Sequence, residues 1–258
     1  MTKINIVLYA GKKFGNLVLE YLIKKKISFS IVPNLDDKGK DNEIHKSTIK
    51  LAKKNNIKIY NNFKLSKLIK KKKLKIDYII CAGTTNIIPK DLLDLINYGA
   101  INFHPSLLPK YRGRYSTVHA LFNGEKYSGV TCHWISNKID EGAIIEQKKI
   151  KIEKHYTAKD LYEIFTIEAF KIFKKIFTKI LKGGKIKAVK IKVRTKYKNK
   201  HFPNNGDLNW NWSGRKILNF IRSMTYTPYE PPSFRLGEKK FYIVEDKLVN
   251  KNFIKTPK

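Results

Sequence analysis

Gly99-Ala100-Ile101-Asn102-Phe103-His104-Pro105 is the stretch from which the rest of the chain can be read. Residues 100–103 form a short apolar strand, and Pro105 closes it, because proline has no backbone N–H to give to a ladder. Side chains alternate along a strand, so Asn102 and His104 emerge on one side and Ile101 and Phe103 on the other. An amide and an imidazole therefore leave together at the carboxyl end of a strand. Upstream, residues 4–9, 27–32 and 76–81 are equally short apolar runs bounded by polar residues. Such runs read as buried strands of a largely parallel sheet.

Helical patterns separate these strands. Residues 14–25 place Phe14, Leu17, Val18, Tyr21 and Leu22 on one face, and residues 42–54 and 65–72 are basic amphipathic segments whose lysines read as solvated faces. Strands alternating with helices predict a Rossmann-like α/β fold with an open, mostly parallel sheet, whose ligands sit at the carboxyl ends of the strands. Residues 129–135 and 143–152 read as two more strands around a loop. A long helix follows Thr157 and ends before Gly183-Gly184. The texture changes near residue 200. Residues 201–206 are turn-rich, residues 213–224 suit a short helix, and residues 233–249 suit a small β meander around Gly237. The expected organisation is a catalytic domain over 1–200 and a short α+β C-terminal extension over 201–258. That extension is too short to stand alone.

Composition limits the function classes. The chain has 258 residues and is 42% hydrophobic, with 14 Tyr and 14 Phe, so it can bury a sizeable core. Its formal net charge of +33 suggests a nucleic acid or another anionic partner. However, 48 of the 54 basic residues are Lys and only 6 are Arg, and they are spread along the whole chain. Bidentate phosphate and base recognition favours Arg. Lys, Asn and Ile also share codons made only of A and T, so a biased genome accounts for the mixture, and nucleic acid is not the expected partner. Cys81 and Cys132 lie in apolar runs and read as buried thiols rather than a disulfide or metal set. The N-terminus begins on a strand-like run with no leader pattern, and no stretch is long enough to span a bilayer. A cytoplasmic protein without membrane partners and without a metal is expected.

Asp140 lies in the loop between the later strands, flanked by Asn137 and Gly142. With Asn102 and His104 it completes a set suited to acyl transfer onto an amine. The imidazole can take a proton near neutral pH, the amide can donate to a developing oxyanion, and the carboxylate can orient and support the imidazolium. The residue types also permit a blander reading. Asn-x-His at a strand end serves as a structural hydrogen-bonded pair, and a loop Asp commonly makes a turn.

Asn102-Phe103-His104-Pro105-Ser106-Leu107-Leu108-Pro109, with Gly129-Val130-Thr131-Cys132-His133 and Asp140-Glu141-Gly142-Ala143-Ile144 after it, resembles the N10-formyltetrahydrofolate-dependent formyltransferases. The resemblance implies Asn102, His104 and Asp140 as the catalytic trio and N10-formyltetrahydrofolate as formyl donor. It also implies a pterin pocket between two segments: Ala82–Pro89, with Gly83, Asn86, Ile87 and Ile88, and Ser136–Asp140, with Asn137 and Lys138. His133 falls within the motif and reads as a structural strand residue. His45, His119, His155 and His201 have no assigned partner.

Within that family three acceptors compete. The turn Gly11-Lys12-Lys13-Phe14-Gly15 departs from the phosphate loop of glycinamide ribonucleotide transformylases. Methionyl-tRNA formyltransferases match the basic charge but carry a longer C-terminal barrel. The chain is most similar to sugar N-formyltransferases, through its length, Arg112-Gly113-Arg114-Tyr115 and Trp210-Asn211-Trp212. This implies a nucleotide-linked 4-amino-4,6-dideoxy sugar, dTDP-4-amino-4,6-dideoxyglucose being the specific expectation, used for surface glycan and O-antigen synthesis. Lys12, Phe103, Pro105 and Tyr226 are the candidate substrate contacts, with Lys12, Lys13 or another basic residue facing pyrophosphate and Tyr226 stacking on the base. Trp210 and Trp212 read as packing for the tail. A homodimer is expected through the tail's exposed β edge. A non-enzymatic nucleic-acid binder on this fold is the alternative from another class.

Overall fold

The computed structural model describes residues 4–41, 46–190, 201–226, 229–246 and 251–255. Its first elements are β1 (Ile6–Ala10), α1 (Lys12–Lys24), β2 (Phe29–Pro33), α2 (Thr48–Lys54), β3 (Lys58–Ile59), α3 (Asn62–Lys70), β4 (Tyr78–Ala82), α4 (Lys90–Leu93) and β5 (Gly99–His104). Then come α5 (Ser116–Phe122), β6 (Tyr127–Trp134), β7 (Ile144–Lys151), α6 (Ala158–Leu181), a 3-10 turn (Pro203–Gly206), α7 (Gly214–Met224), β8 (Ser233–Leu236), β9 (Lys239–Asp246) and β10 (Lys251–Lys255).

Seven strands make one sheet in the order β3-β2-β1-β4-β5-β6-β7. The first five pair in parallel and β6 returns antiparallel to β5. The strand order reverses between β1 and β4, and such a switch point leaves a crevice at the carboxyl ends. Gly11 and Gly83 meet there, with the Gly11 N–H donating to the Ala82 carbonyl at 3.0 Å. Gly83 holds φ +65°, and a Cβ on it would run into the Gly11 carbonyl, so the approach of these two turns requires glycine.

The chain divides into two compact units. The first comprises the described residues of Met1–His104, Thr131–Gln147 and Thr166–Val193, and the second those of Pro105–Val130, Lys148–Phe165 and Arg194–Lys258. The boundary expected at residue 200 is not where the compact units part: the segment after His104 belongs with the tail residues, and residues 191–200 lie outside those described.

In the first unit one sheet face packs Val7, Tyr9, Ile79, Cys81 and Ala100 with Leu65, Ile88 and Leu92. On the other face Ile80, Ile101 and Phe103 meet Phe173, Ile176 and Phe177 of α6. Each such large side chain contributes roughly 1.5–3 kcal/mol by leaving water. The second unit holds a three-stranded sheet, β10-β9-β8, and an aromatic cluster in which Trp212 lies 5.3 Å from both Phe122 and Phe220. Trp212 is the packing residue it was read to be, whereas Trp210 is 60% exposed, its ring 5.4 Å from Phe234. Among the described residues no helix is long and apolar enough to cross a membrane.

Several elements differ from expectation. The helix predicted over residues 42–54 has its described part at Thr48–Lys54, and residues 42–45 lie outside the described residues. Asp37 organises its start, accepting from Ser47 Oγ at 2.6 Å, Thr48 Oγ1 at 2.6 Å, Gly39 N at 2.9 Å and Ile49 N at 3.1 Å. Burial pushes the Asp37 carboxyl up, but these four hydrogen bonds outweigh it and hold the group below the usual carboxylate range. β3, α4 and α5 are additional. β3 is two residues long, and α5 begins after Tyr115 at φ 58° with no side-chain cap. The C-terminal sheet has a third strand, β10, beyond the meander expected to end at 249. Residues 247–249 of that expectation lie outside those described, as do 227–228.

Candidate active site

β5 and β6 pair so that Asn102 stands opposite His133 and His104 opposite Thr131. The alternation expected along β5 holds. Phe103 points to one side, 5.2 Å from the Phe14 ring and 6.3 Å from Phe173. Asn102 and His104 share the opposite face with Ala100. After β6 the chain turns back through residues 135–143. Gly142 makes this possible, because a Cβ there would collide with the Trp134 carbonyl oxygen. Asp140 occupies the left-handed region at φ 53° and its side chain is only 10% exposed.

The loop thereby delivers its carboxylate to two imidazoles. Asp140 Oδ2 lies 3.4 Å from His104 Nδ1, and Oδ1 lies 3.6 Å from His133 Nε2. His133 is fully buried, its Nδ1 lies 2.8 Å from the Trp134 carbonyl oxygen, and its Nε2 lies 3.2 Å from Asn102 Nδ2. Asn102, His104 and Asp140, predicted together from the sequence, are thus brought together within one unit. His133 was read as a structural strand residue. It is that, but it also touches the Asn102 amide. Its place directly across a β ladder from Asn102 comes from the β5–β6 register, which the chain order does not show, so the sequence carried no signal for this contact.

The arrangement contains the parts of proton transfer and charge stabilisation at a carbonyl: an imidazole backed by a buried carboxylate, and an amide N–H beside it. Among the described residues, no group of three or more His, Cys, Asp or Glu is placed to hold a metal ion.

The segment after β4 is tied down by side-chain amides. Asn34 Oδ1 accepts from Thr84 Oγ1 at 2.9 Å and from Thr85 N at 3.0 Å, Asn86 Nδ2 donates to the Pro33 carbonyl at 2.8 Å, and Asn62 Nδ2 donates to the Ile87 carbonyl at 3.1 Å. Two features suit a flat heterocycle with polar edges. Ile87, at 71% exposed, and Ile139, at 45%, leave apolar side chains uncovered on the two segments predicted to flank it. Among the described residues Asn86 Oδ1 is buried without a hydrogen-bond partner, an acceptor that a ligand N–H would satisfy. Asn137 and Lys138 are exposed, and Ser136 Oγ donates to the Lys138 carbonyl at 3.0 Å.

Two of the other expected contacts, Phe103 and Ile88, have buried side chains. The Phe103 side chain is buried between Phe14 and Phe173 on the face away from Asn102, so it cannot reach a substrate there. Ile88 is 7% exposed and packs in the sheet core, leaving only its backbone to meet a ligand. Lys12 opens α1 at φ 56°, half-buried. Pro105 begins the second unit's first segment. In that unit the Tyr226 ring lies 5.6 Å from Tyr162 and 4.9 Å from Tyr229, and burial pushes its hydroxyl well above the usual phenol range. Its ring is already engaged by two tyrosines, which competes with the base stacking expected of it. His119 gains a partner in the His201 carbonyl at 3.1 Å, and His155 stands 4.9 Å from the Tyr156 ring. His45 lies outside the described residues.

Comparison with known proteins extends this geometry. Residues 3–176 match the formyl transferase family model. A bifunctional polymyxin resistance protein ArnA from Wigglesworthia glossinidia brevipalpis is 33% identical over 98% of this chain, which spans only 39% of that protein's length. A methionyl-tRNA formyltransferase from Staphylococcus aureus (strain Newman) is 29% identical over 100% of this chain and 83% of its own length. Among solved structures, an N-formyltransferase from Helicobacter canadensis in complex with folinic acid and dTDP-3-aminofucose superposes with a TM-score of 0.76. It is 25% identical, and the match covers 95% of this chain and 89% of that one.

Proposed function

We infer, since the chain belongs to the formyl transferase family, that it moves a formyl group from N10-formyltetrahydrofolate to the amine of a nucleotide-linked amino sugar. The observation that carries the chemistry is the convergence of Asn102, His104 and Asp140, with Asp140 Oδ2 at 3.4 Å from His104 Nδ1. The sugar is supported by likeness to the Helicobacter canadensis enzyme, which runs through the tail as well as the sheet. The folate binds between residues 83–88 and the loop carrying Asn137 and Lys138. Ile87 and Ile139 cover the pterin, and Asn86 Oδ1 accepts from one of its N–H groups.

His104 takes the proton of the attacking amine, which must arrive uncharged to offer its lone pair. Asn102 donates an N–H to the formyl oxygen as negative charge develops there. Asp140 supports the imidazolium and holds the ring in place, and His104 then returns the proton to the departing folate nitrogen. The proposed acceptor is a dTDP-linked 4-amino-4,6-dideoxyglucose. A 3-amino sugar is the nearest competitor, given the ligand of the Helicobacter canadensis enzyme. A second reading, methionyl-tRNA as acceptor, is favoured by the Staphylococcus aureus relative, whose match covers 100% of this chain and 83% of the relative.

Release of the deformylated folate, followed against dTDP-4-amino and dTDP-3-amino sugars and methionyl-tRNA, separates these readings. Turnover with a nucleotide sugar and none with methionyl-tRNA is expected, and the reverse would replace the sugar by tRNA.

A further inference from the structure

We propose that His133 is a positioning residue that sets which edge of the Asn102 amide faces the formyl group. A carbonyl oxygen only accepts hydrogen bonds. His133 Nδ1 lies 2.8 Å from the Trp134 carbonyl, so Nδ1 carries the proton. In the neutral ring Nε2 is then a bare acceptor. It faces Asn102 Nδ2 at 3.2 Å and accepts one of that group's two N–H bonds. Turning the amide over would set its oxygen against the Nε2 lone pair. The ring thus holds the nitrogen edge in place and leaves the second N–H for the formyl oxygen.

The surroundings keep the ring in this tautomer. His133 is 2% exposed, so water does not compete for Nε2. Asp140 Oδ1, at 3.6 Å from Nε2, is beyond hydrogen-bond length, as expected when a lone pair rather than a proton faces it. The antiparallel pairing of β5 with β6 sets Asn102 opposite His133, so the contact is held by the backbone ladder and not by a flexible loop. Such preorganisation matters because an amide free to rotate would present its oxygen to the developing charge part of the time.

Two substitutions separate this role from simple packing. His133→Asn puts an amide N–H where Nδ1 was and keeps the bond to the Trp134 carbonyl, but it removes the acceptor for Asn102. His133→Gln puts an acceptor where Nε2 was and gives up the bond to the carbonyl. H133N is expected to lower kcat by about tenfold with KM little changed, while H133Q recovers most of the rate. Thermal melts should rank the variants the other way, H133N above H133Q. A residue with only a structural role would lose rate and stability together, so matching orders would overturn the proposal, as would wild-type turnover in H133N.

The rate arm rests on the formyl-transfer reading; a second arm does not. Imidazole 15N shifts of His133 in the wild-type protein, without substrate, should show the Nδ1–H tautomer, and the Nε2–H tautomer would refute the proposal. If wild type formylates no amine tested, the acceptor assignment fails while the tautomer still decides the role of His133.

Discussion

The β5–β6 region and the aromatic cluster of the second unit both bury side chains completely, but with opposite chemistry. Around β5 the buried groups are His104, His133 and the carboxylate of Asp140. Around α7 they are rings, with Phe220 fully buried, 5.3 Å from Trp212 and 6.1 Å from Phe122. Taking ionisable groups out of water costs about as much as pairing them returns. Burying rings is favourable throughout, and ring pairs add to the area term. The first region therefore holds chemistry at little gain in stability, and the second supplies stability without titratable chemistry.

That contrast can be broken by measurement. The largest effect is expected at Phe220→Ala, which should cost about 3–5 kcal/mol in denaturant unfolding while turnover per folded molecule changes little. An unchanged melt with lost turnover would give the tail a catalytic part and end the contrast. Next, His104→Ala or Asn102→Ala should lower kcat on the order of a hundredfold or more with a melting temperature near the parent's. Near-full turnover in a folded variant would remove these residues from the chemistry.

Smaller effects are expected at two polar side chains. Asp37→Asn replaces the anion that gathers Ser47, Thr48, Gly39 and Ile49 and should cost about 1 kcal/mol, typical of a helix N-terminal cap. Its pH dependence has a definite sign. The folded carboxyl titrates below its unfolded value, so its contribution is complete above the ordinary carboxylate range and disappears as pH falls through the lowered folded value. Acid titrations of the two proteins should accordingly converge at low pH, and a gap that widens instead would contradict the assigned hydrogen bonds. Smallest is Lys216→Gln. The ammonium lies 5.0 Å from the Trp212 ring and 5.2 Å from Phe122, and its loss should cost roughly 0.5–1 kcal/mol, partly offset by water at this exposed site.

Much of the fold was legible in the chain because its signals are local. Continuous apolar runs marked β1, β2, β4 and β5, and helical spacing closed by Gly183-Gly184 marked α6. What escaped has weak local signals. β3 is two residues long and exists through its pairing with β2. α5 follows a left-handed Tyr115 and lacks a cap, so neither usual start signal is present. At the site, Phe103 and Ile88 were chosen for their neighbours in sequence, yet their side chains are core residues, because α6 covers the sheet face that carries Phe103 and Ile88 packs with Leu65 and Leu92 against the other.

That Asn102 and His104 leave one strand end on one side follows from the order of residues, since a strand's two-residue period depends on the backbone alone. The sequence also carried, through its motif, the family to which the chain belongs. The folded chain alone brings Asp140 to His104 and sets His133 against Asn102. Those contacts span 36 and 31 positions and depend on antiparallel register and on a loop that closes over Gly142, neither of which any local stretch of residues encodes.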